Sequence, residues 1–386
     1  MNRFVIARFH EIALKGKNRP FFARQLVGNL REATRGLGVE SVWDGRTMVG
    51  LKLAPDAEWP ALEHQLKRVF GVVNFSIVNR AEPNLESIKS LVTKLANSKP
   101  FASFRITANR ADKKFPLTSM ELNRELGALV GEATGARVDL KQPEAVFYVD
   151  IMPRDAYVYV NKVQASGGLP VGASAPVLTL LSGGIDSPVS AWRMMKRGCP
   201  TYFLHFHSYP LVDTSSMEKA AELVQALTTY QYESTLFLAP LAEIQKTIIL
   251  SVPAAYRVVL YRRFMFRIAE QVARREGALA LVTGESVGQV SSQTVENIAA
   301  IDAVASMPVL RPLIGMDKVE IIDQARALGT YAVSIIPDQD CCSLFTPTHP
   351  VIRSKASELE RFEEDLDVEG LVSQAVSAIE VRHFRH

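Results

Sequence analysis

Ala175-Pro-Val-Leu-Thr-Leu-Leu181, running into Ser182-Gly183-Gly184-Ile185-Asp186-Ser187 and then Pro188, is the passage on which the fold of this 386-residue chain turns. The first seven residues are an apolar run suited to a buried strand. Pro188 sets the first turn of a helix predicted over Val189–Lys196, which Gly198 ends. Strand, glycine turn and helix in this order make a cradle for an anion. Gly183 and Gly184 give the backbone conformations closed to other residues and let it approach a phosphate, while amide groups and the helix N-terminus supply positive potential. Ser182 and Ser187 add hydroxyl donors. A tight turn alone would also use two glycines, but the serines, the aspartate and the helix start count against so plain a reading. GxxxxGK[ST] is absent and no lysine sits beside the glycines, which excludes the Walker arrangement.

Downstream the same order repeats. Tyr202–His207 reads as a second strand, and Ala280–Val282 as another that leads through Thr283-Gly284-Glu285-Ser286 and Gln293-Thr294 into a helix. Strands alternating with helices predict an α/β fold, a doubly wound parallel sheet with its ligand crevice at the carboxyl ends of the strands. His205 and Phe206 then lie where an adenine would be met, one by backbone and one by stacking. Tyr256–Arg275 reads as a helix that carries Arg262, and Ser354–Ile379 as an acidic amphipathic tail helix.

Upstream, QASGGLPVGAS (164–174) separates a first half of different character. Residues 1–168 carry 25 Lys and Arg against 17 Asp and Glu, whereas the remainder carries 19 against 24. A polyanion would meet the first half, since clustered cations bind phosphate backbones through counterion release. Its alternating RFVIARF, a helix from Arg19 to about Leu37 and strands near 41–43 and 49–53 make a small α+β unit. APDAEWP reads as a linker, and from Trp59 helices and strands alternate again, with Arg110, Lys113 and Lys114 on a loop just after the strand Phe104–Ala108. Cys199, Cys341 and Cys342 are too few for a disulfide framework. Cys199 is expected to pack. No CxxC or HExxH occurs, so no protein-held zinc is expected. With no apolar run near the ~20 residues of a membrane span and no signal-like N-terminus, a cytoplasmic protein is expected.

The string SGGxDS resembles the PP-loop of ATP pyrophosphatases, which cut ATP between its α and β phosphates. TGESxGQxxSQT (283–294), RPLIGMDKxEII (311–322) and PDQDCCSLF (337–345) are similar to the ThiI-type tRNA 4-thiouridine synthetases over nearly the whole chain. EIALKGKNR (11–19) matches that family's ferredoxin-like domain, and residues 58–165 its RNA-binding THUMP domain. The resemblance implies a ferredoxin-like domain over 1–57, a THUMP domain over 58–168 and a PP-loop domain over 169–386. It places ATP on Leu180, Leu181, Ser182, Gly183, Gly184, Asp186, Ser187, His205, Phe206, Arg262, Gly284 and Gln293, with Mg2+ near Asp186, and RNA on Lys15, Lys17, Arg110, Lys113 and Lys114.

The implied reaction adenylates C4 of a uridine at position 8 of tRNA and replaces the oxygen with sulfur from a cysteine persulfide. Cys342 is favoured as the sulfur carrier, because the recurrent cysteine of this loop precedes a small residue; Cys341 stays open. Some family members append a rhodanese-like domain. Without it, sulfur is expected from a cysteine desulfurase, another persulfide donor or a sulfur carrier protein, and a part in thiamine thiazole synthesis is less strongly implied. A homodimer is a further expectation of the resemblance. Rival readings are a PP-loop ligase or amidotransferase that takes an amine, and an RNA-binding module with a vestigial ATP site.

Overall fold

The structure, a computed structural model, describes residues 3–45, 48–337 and 349–386. They divide into two compact units, Met1–Leu169 and Pro170–His386.

Unit 1 runs β1 (Arg3–Arg8), α1 (Arg19–Ala33), β2 (Val39–Asp44), β3 (Met48–Leu53), α2 (Trp59–Leu66), β4 (Asn74–Ala81), α3 (Leu85–Ala96), β5 (Ser103–Arg110), α4 (Ser119–Thr134), β6 (Arg137–Val138), β7 (Ala145–Ile151), β8 (Ala156–Val160) and β9 (Val163–Gln164). Its strands lie in the order β2-β3-β1-β4-β8-β7-β5-β6, with β9 beside β4. β4 is antiparallel to both β1 and β8, so one strand joins the two halves of the sheet. Alternation decides the faces. Phe147, Val149 and Ile151 of β7 are buried with α3 and α4, while Tyr148 and Asp150 point the other way. α1 starts at its proline as the sequence predicts but ends at Ala33, four residues before the expected Leu37. There the Thr34 hydroxyl bonds back to the Leu30 carbonyl, and Gly36 and Gly38, both left-handed, turn the chain into β2.

Unit 2 runs β10 (Val177–Leu180), α5 (Asp186–Lys196), β11 (Thr201–His207), α6 (Ser215–Gln231), β12 (Glu233–Pro240), α7 (Ala242–Ser251), α8 (Arg257–Arg275), β13 (Leu281–Val282), α9 (Val295–Asp302), β14 (Val309–Leu310), α10 (Lys318–Leu328), α11 (Tyr331–Ser334), α12 (Ala356–Glu364), α13 (Val368–Ser377) and β15 (Glu380–Arg385). The sheet order is β14-β13-β10-β11-β12-β15, and the first five strands are parallel. The predicted tail helix is instead two helices, and a strand follows them. Asp367 accepts from the Gly370 amide and starts α13 afresh, and β15 then pairs antiparallel with β12 from Glu380↔Leu238 to Arg385↔Glu233.

The core of unit 2 forms around α8, which buries Leu260, Phe264, Ile268 and Val272. Arg263 of the same helix is also buried, only 1% exposed. Glu363 of α12 meets it with two hydrogen bonds, Nε to Oε1 at 2.8 Å and Nη2 to Oε2 at 2.7 Å, and also meets Arg267 through both oxygens. Burial alone would raise the Glu363 carboxyl above its usual range, but hydrogen bonds from Arg267 and Arg263 and their charges hold it below. A carboxyl lowered in the folded state stabilises the fold above its unfolded value near 4.5, and that stabilisation is lost as pH falls through the lower folded value. Glu363→Gln leaves Arg263 with an uncompensated buried charge. Urea unfolding at neutral pH is expected to show a loss of about 3 kcal/mol, and the gap to wild type to narrow as pH falls below 4.5.

Candidate functional site

A cleft of about 410 Å³ opens at the carboxyl ends of β10, β11 and β13. Its walls include Leu180, Leu181, Ser182, Asp186, Ser187, His205, Phe206, Arg262, Gly284 and Gln293. Of the nucleotide contacts expected from sequence, only Gly183 and Gly184 are not in that wall. They belong to the turn beneath it, where Gly183 is buried and Gly184 exposed.

The turn is stitched by its serines. Ser187 Oγ accepts from the Ser182 amide at 2.9 Å and donates to the Ser182 carbonyl at 3.1 Å, and the Gly184 amide donates to Ser182 Oγ at 3.3 Å. These hydroxyls, expected as donors to an anion, therefore shape the loop. Neither Gly183 nor Gly184 has a positive φ, contrary to the expectation that they reach backbone conformations closed to other residues. A Cβ on Gly184 would meet nothing closer than Ser182 Oγ at 3.4 Å, an ordinary contact. Folding alone does not require glycine there. Among the described residues the amides of Gly183 and Ile185 have no acceptor, and α5 begins immediately beyond, with the positive end of the helix at this turn.

Gly284 differs. A Cβ there would lie 2.7 Å from the Ser187 amide nitrogen and 2.9 Å from the Asp186 carbonyl carbon, so the turn after β13 presses directly on the start of α5. Ser190 Oγ fixes the same approach by donating to the Thr283 carbonyl at 2.7 Å.

Charged residues close the site. Asp186 Oδ1 lies 2.6 Å from Lys318 Nζ, and Asp186 Oδ2 accepts from Gln289 at 2.8 Å. Lys318 opens α10, whose start is fixed by Asp317 and Glu320 in a reciprocal capping box. No lysine adjoins the glycines in sequence, yet the fold brings one from 132 residues downstream. Sequence reasoning missed Lys318, although it stands within the quoted RPLIGMDK string; a search for a cation at a second helix start would have found it. Glu285 was missed as well. It is 1% exposed, forms ion pairs with Arg262 at 2.7 Å and Arg311 at 2.6 Å, and accepts from the Thr283 hydroxyl at 2.9 Å. Burial works to raise its carboxyl, and Arg262 and Arg311 outweigh that and lower it. Arg262 also donates to Ser292 at 3.1 Å.

His205 is placed at the cleft with its ring turned inward, Nδ1 against the Leu181 carbonyl at 2.9 Å and Nε2 against Ser216 at 3.3 Å, which leaves backbone for any ligand. The Gln293 side chain accepts from the Ser286 amide at 3.3 Å. Cys199 packs with Val177, Ala280 and Val282, and burial raises its thiol. Cys341 and Cys342 lie outside the described residues. In unit 1, Lys113 and Lys114 are exposed, Arg110 braces its own loop through the Phe115 and Leu117 carbonyls, and Lys15 lies over Phe22 beside exposed Lys17. Among the described residues no group of three or more His, Cys, Asp or Glu is placed to hold a metal, and no helix is long and apolar enough to cross a membrane.

The two glycines differ in what the fold asks of them. Gly284→Ala is expected to lower stability by about 1–3 kcal/mol, because its neighbours are backbone atoms that cannot swing aside; Gly184→Ala should melt at the wild-type temperature. Thermal unfolding of the two variants checks both.

Residues 4–76 match the ThiI ferredoxin-like domain, 82–161 the THUMP domain and 172–368 the family described as thiamine biosynthesis protein (ThiI). A probable tRNA sulfurtransferase of Thermus thermophilus is 48% identical over 98% of this chain and 93% of its own length, and one of Moorella thermoacetica 43% identical over 98% and 96%. Among solved structures, a 4-thiouridine synthetase–RNA complex with bound ATP superposes with a TM-score of 0.90 at 35% identity, over 99% of this chain and all of that one. With a ferredoxin-like domain, a THUMP domain and the sheet that carries the SGGxDS turn, this chain belongs to the ThiI family.

Proposed function

We propose that this protein is an ATP-dependent tRNA sulfurtransferase that converts a uridine, at position 8 of tRNA, to 4-thiouridine. The observation that carries the reading is Gly184, a glycine required neither by φ nor by packing, in the turn that leads from the cleft wall at Ser182 to the start of α5 and whose Gly183 and Ile185 amides have no acceptor among the described residues. A residue kept small for no reason within the fold keeps room for something outside it, and phosphates suit those amides.

ATP lies with its phosphates on Ser182–Ser187 and its base toward Phe206 and the His205 backbone. Uridine O4 attacks the α-phosphorus, the bond to pyrophosphate breaks, and the base is left with AMP as a good leaving group at C4. Negative charge then grows on the departing pyrophosphate, where the Gly183 and Ile185 amides and the Lys318 ammonium are fixed in advance. Asp186 holds Lys318 in reach. The donors fit a magnesium ion that arrives with the nucleotide. Asp186 would hold such an ion, and the ion would add further charge neutralisation at the phosphates. The outer sulfur of a persulfide then attacks C4 and displaces AMP, and a second thiol attacks the carrier-cysteine sulfur of the resulting S–S bond, which releases 4-thiouridine and leaves a disulfide that an external thiol reductant reopens before the next turnover. Cys342, or Cys341 beside it, is the carrier in this reading, loaded by a cysteine desulfurase or another persulfide donor. The same sulfur relay would serve thiamine thiazole synthesis, and the protein would act in the cytoplasm as a homodimer.

Activation and sulfur transfer separate experimentally. Asp186→Ala is expected to abolish pyrophosphate release with tRNA affinity within a few fold of wild type. Cys342→Ser together with Cys341→Ser is expected to keep pyrophosphate release and lose 4-thiouridine, read by mass spectrometry of the tRNA. Full thiolation by the double serine variant would overturn the sulfur-carrier assignment, and pyrophosphate release by Asp186→Ala would overturn the site.

A further inference from the structure

The sheet of unit 1 has two unlike faces. One is buried under α3 and α4; the other carries Ile6, Val78 and Tyr159 packed with Phe4, Tyr148 and Tyr157, and no helix residue joins that cluster among the described residues. Four side chains stack across it. The Arg8 guanidinium lies 4.5 Å over the Tyr159 ring, Tyr159 is stacked on Tyr148 with centroids 5.0 Å apart, and the Lys162 ammonium lies 4.1 Å from the Tyr148 centroid.

The charges of this stack are incompletely matched. Asp150 is the carboxylate within it, and it already accepts from the Tyr159 hydroxyl at 2.9 Å. It meets Arg8 only at 3.4 Å, and the remaining Arg8 contacts, to Asn74 and Ser76, are also 3.4 Å, at the long limit of a hydrogen bond. Half-buried Lys162, with three donors, has no hydrogen bond or ion pair among the described residues. Burial, and next the Arg8 charge, lower its affinity for a proton, and the Asp150 carboxylate offsets this only in part. Its placement is enforced. The preceding Asn161 is held left-handed at φ 59, its side chain accepts from the Val146 amide at 3.1 Å, and its carbonyl accepts from Ser76 at 3.1 Å. A left-handed Asn161 that holds a half-buried ammonium without a hydrogen bond, in the repulsive field of Arg8, costs free energy, and a bound anion would offset it.

We propose that Arg8 and Lys162 form a phosphate-binding site that grips the backbone of the RNA substrate. The basic excess of residues 1–168 favours a polyanion, and an arginine fork beside a point charge suits a phosphate. This rests on the RNA-modifying function proposed above. The test is the salt dependence of tRNA affinity for wild type, Lys162→Gln, Lys162→Arg and, as a control, Lys67→Gln, whose lysine is already paired with Glu63. Without its ion pair to one phosphate, Lys162→Gln should bind about fivefold more weakly, with a log–log salt slope reduced by about 0.7–0.9, whereas Lys162→Arg and Lys67→Gln should stay near wild type. A wild-type slope in Lys162→Gln, or an equal fall in Lys67→Gln, overturns the site while leaving the enzyme reading intact. Absence of tRNA binding by the wild-type protein overturns both.

Discussion

The nucleotide end of unit 2 depends on one buried carboxylate. Removing Glu285 from water costs several kcal/mol unless charges and hydrogen bonds compensate, and Arg262, Arg311 and Thr283 do so from three different elements. Each compensation fixes a piece of the site. Arg262 ties α8 to the cleft wall and to Ser292, Thr283 sits at the end of β13, and Arg311 extends the network to Asp302 of α9. The turn containing Gly284 lies between these anchors, which is why it can stand against the first residues of α5 without a side chain's thickness between them.

The phosphate turn solves with separated parts what the Walker loop solves with adjacent ones. Its glycines and amides are local, but the cation beside them belongs to α10 and is oriented by Asp186. The lysine can therefore follow α10, whereas a lysine within the loop would be fixed to the strand. Charge at the site is thus set by how helices pack as well as by the loop itself.

Much of this was legible in the sequence because it is local. The apolar run 175–181, the glycine turn and Pro188 fix a strand, a cradle and a helix within about a dozen residues, and the parallel order follows from alternation. Elements set by distant pairing were not legible. β15 forms because Glu380–Arg385 finds β12, and Asp367 splits the tail helix through a cap only three residues long in sequence. At the site, the backbone contributors and the charged Asp186 and Arg262 were readable, but Lys318 and Glu285 were not, because they gain meaning only from partners on other elements. The serines mislead in the opposite direction, being polar beside a ligand cradle yet occupied in holding the turn. Their hydrogen bonds are short-range, but nothing in residue type distinguishes a hydroxyl that faces in from one that faces out.

Arg263 and Glu363 are 100 residues apart and meet in the middle of the α8 core. Until α12 arrives, the helix at the centre of the unit carries a cation that its own apolar neighbours cannot solvate. Closure of the core thus waits for a late segment, and partial structures that lack it bear the cost of an orphan charge. Unit 2 should consequently assemble in one cooperative step with substantial chain-closure entropy, rather than growing outward from a finished half.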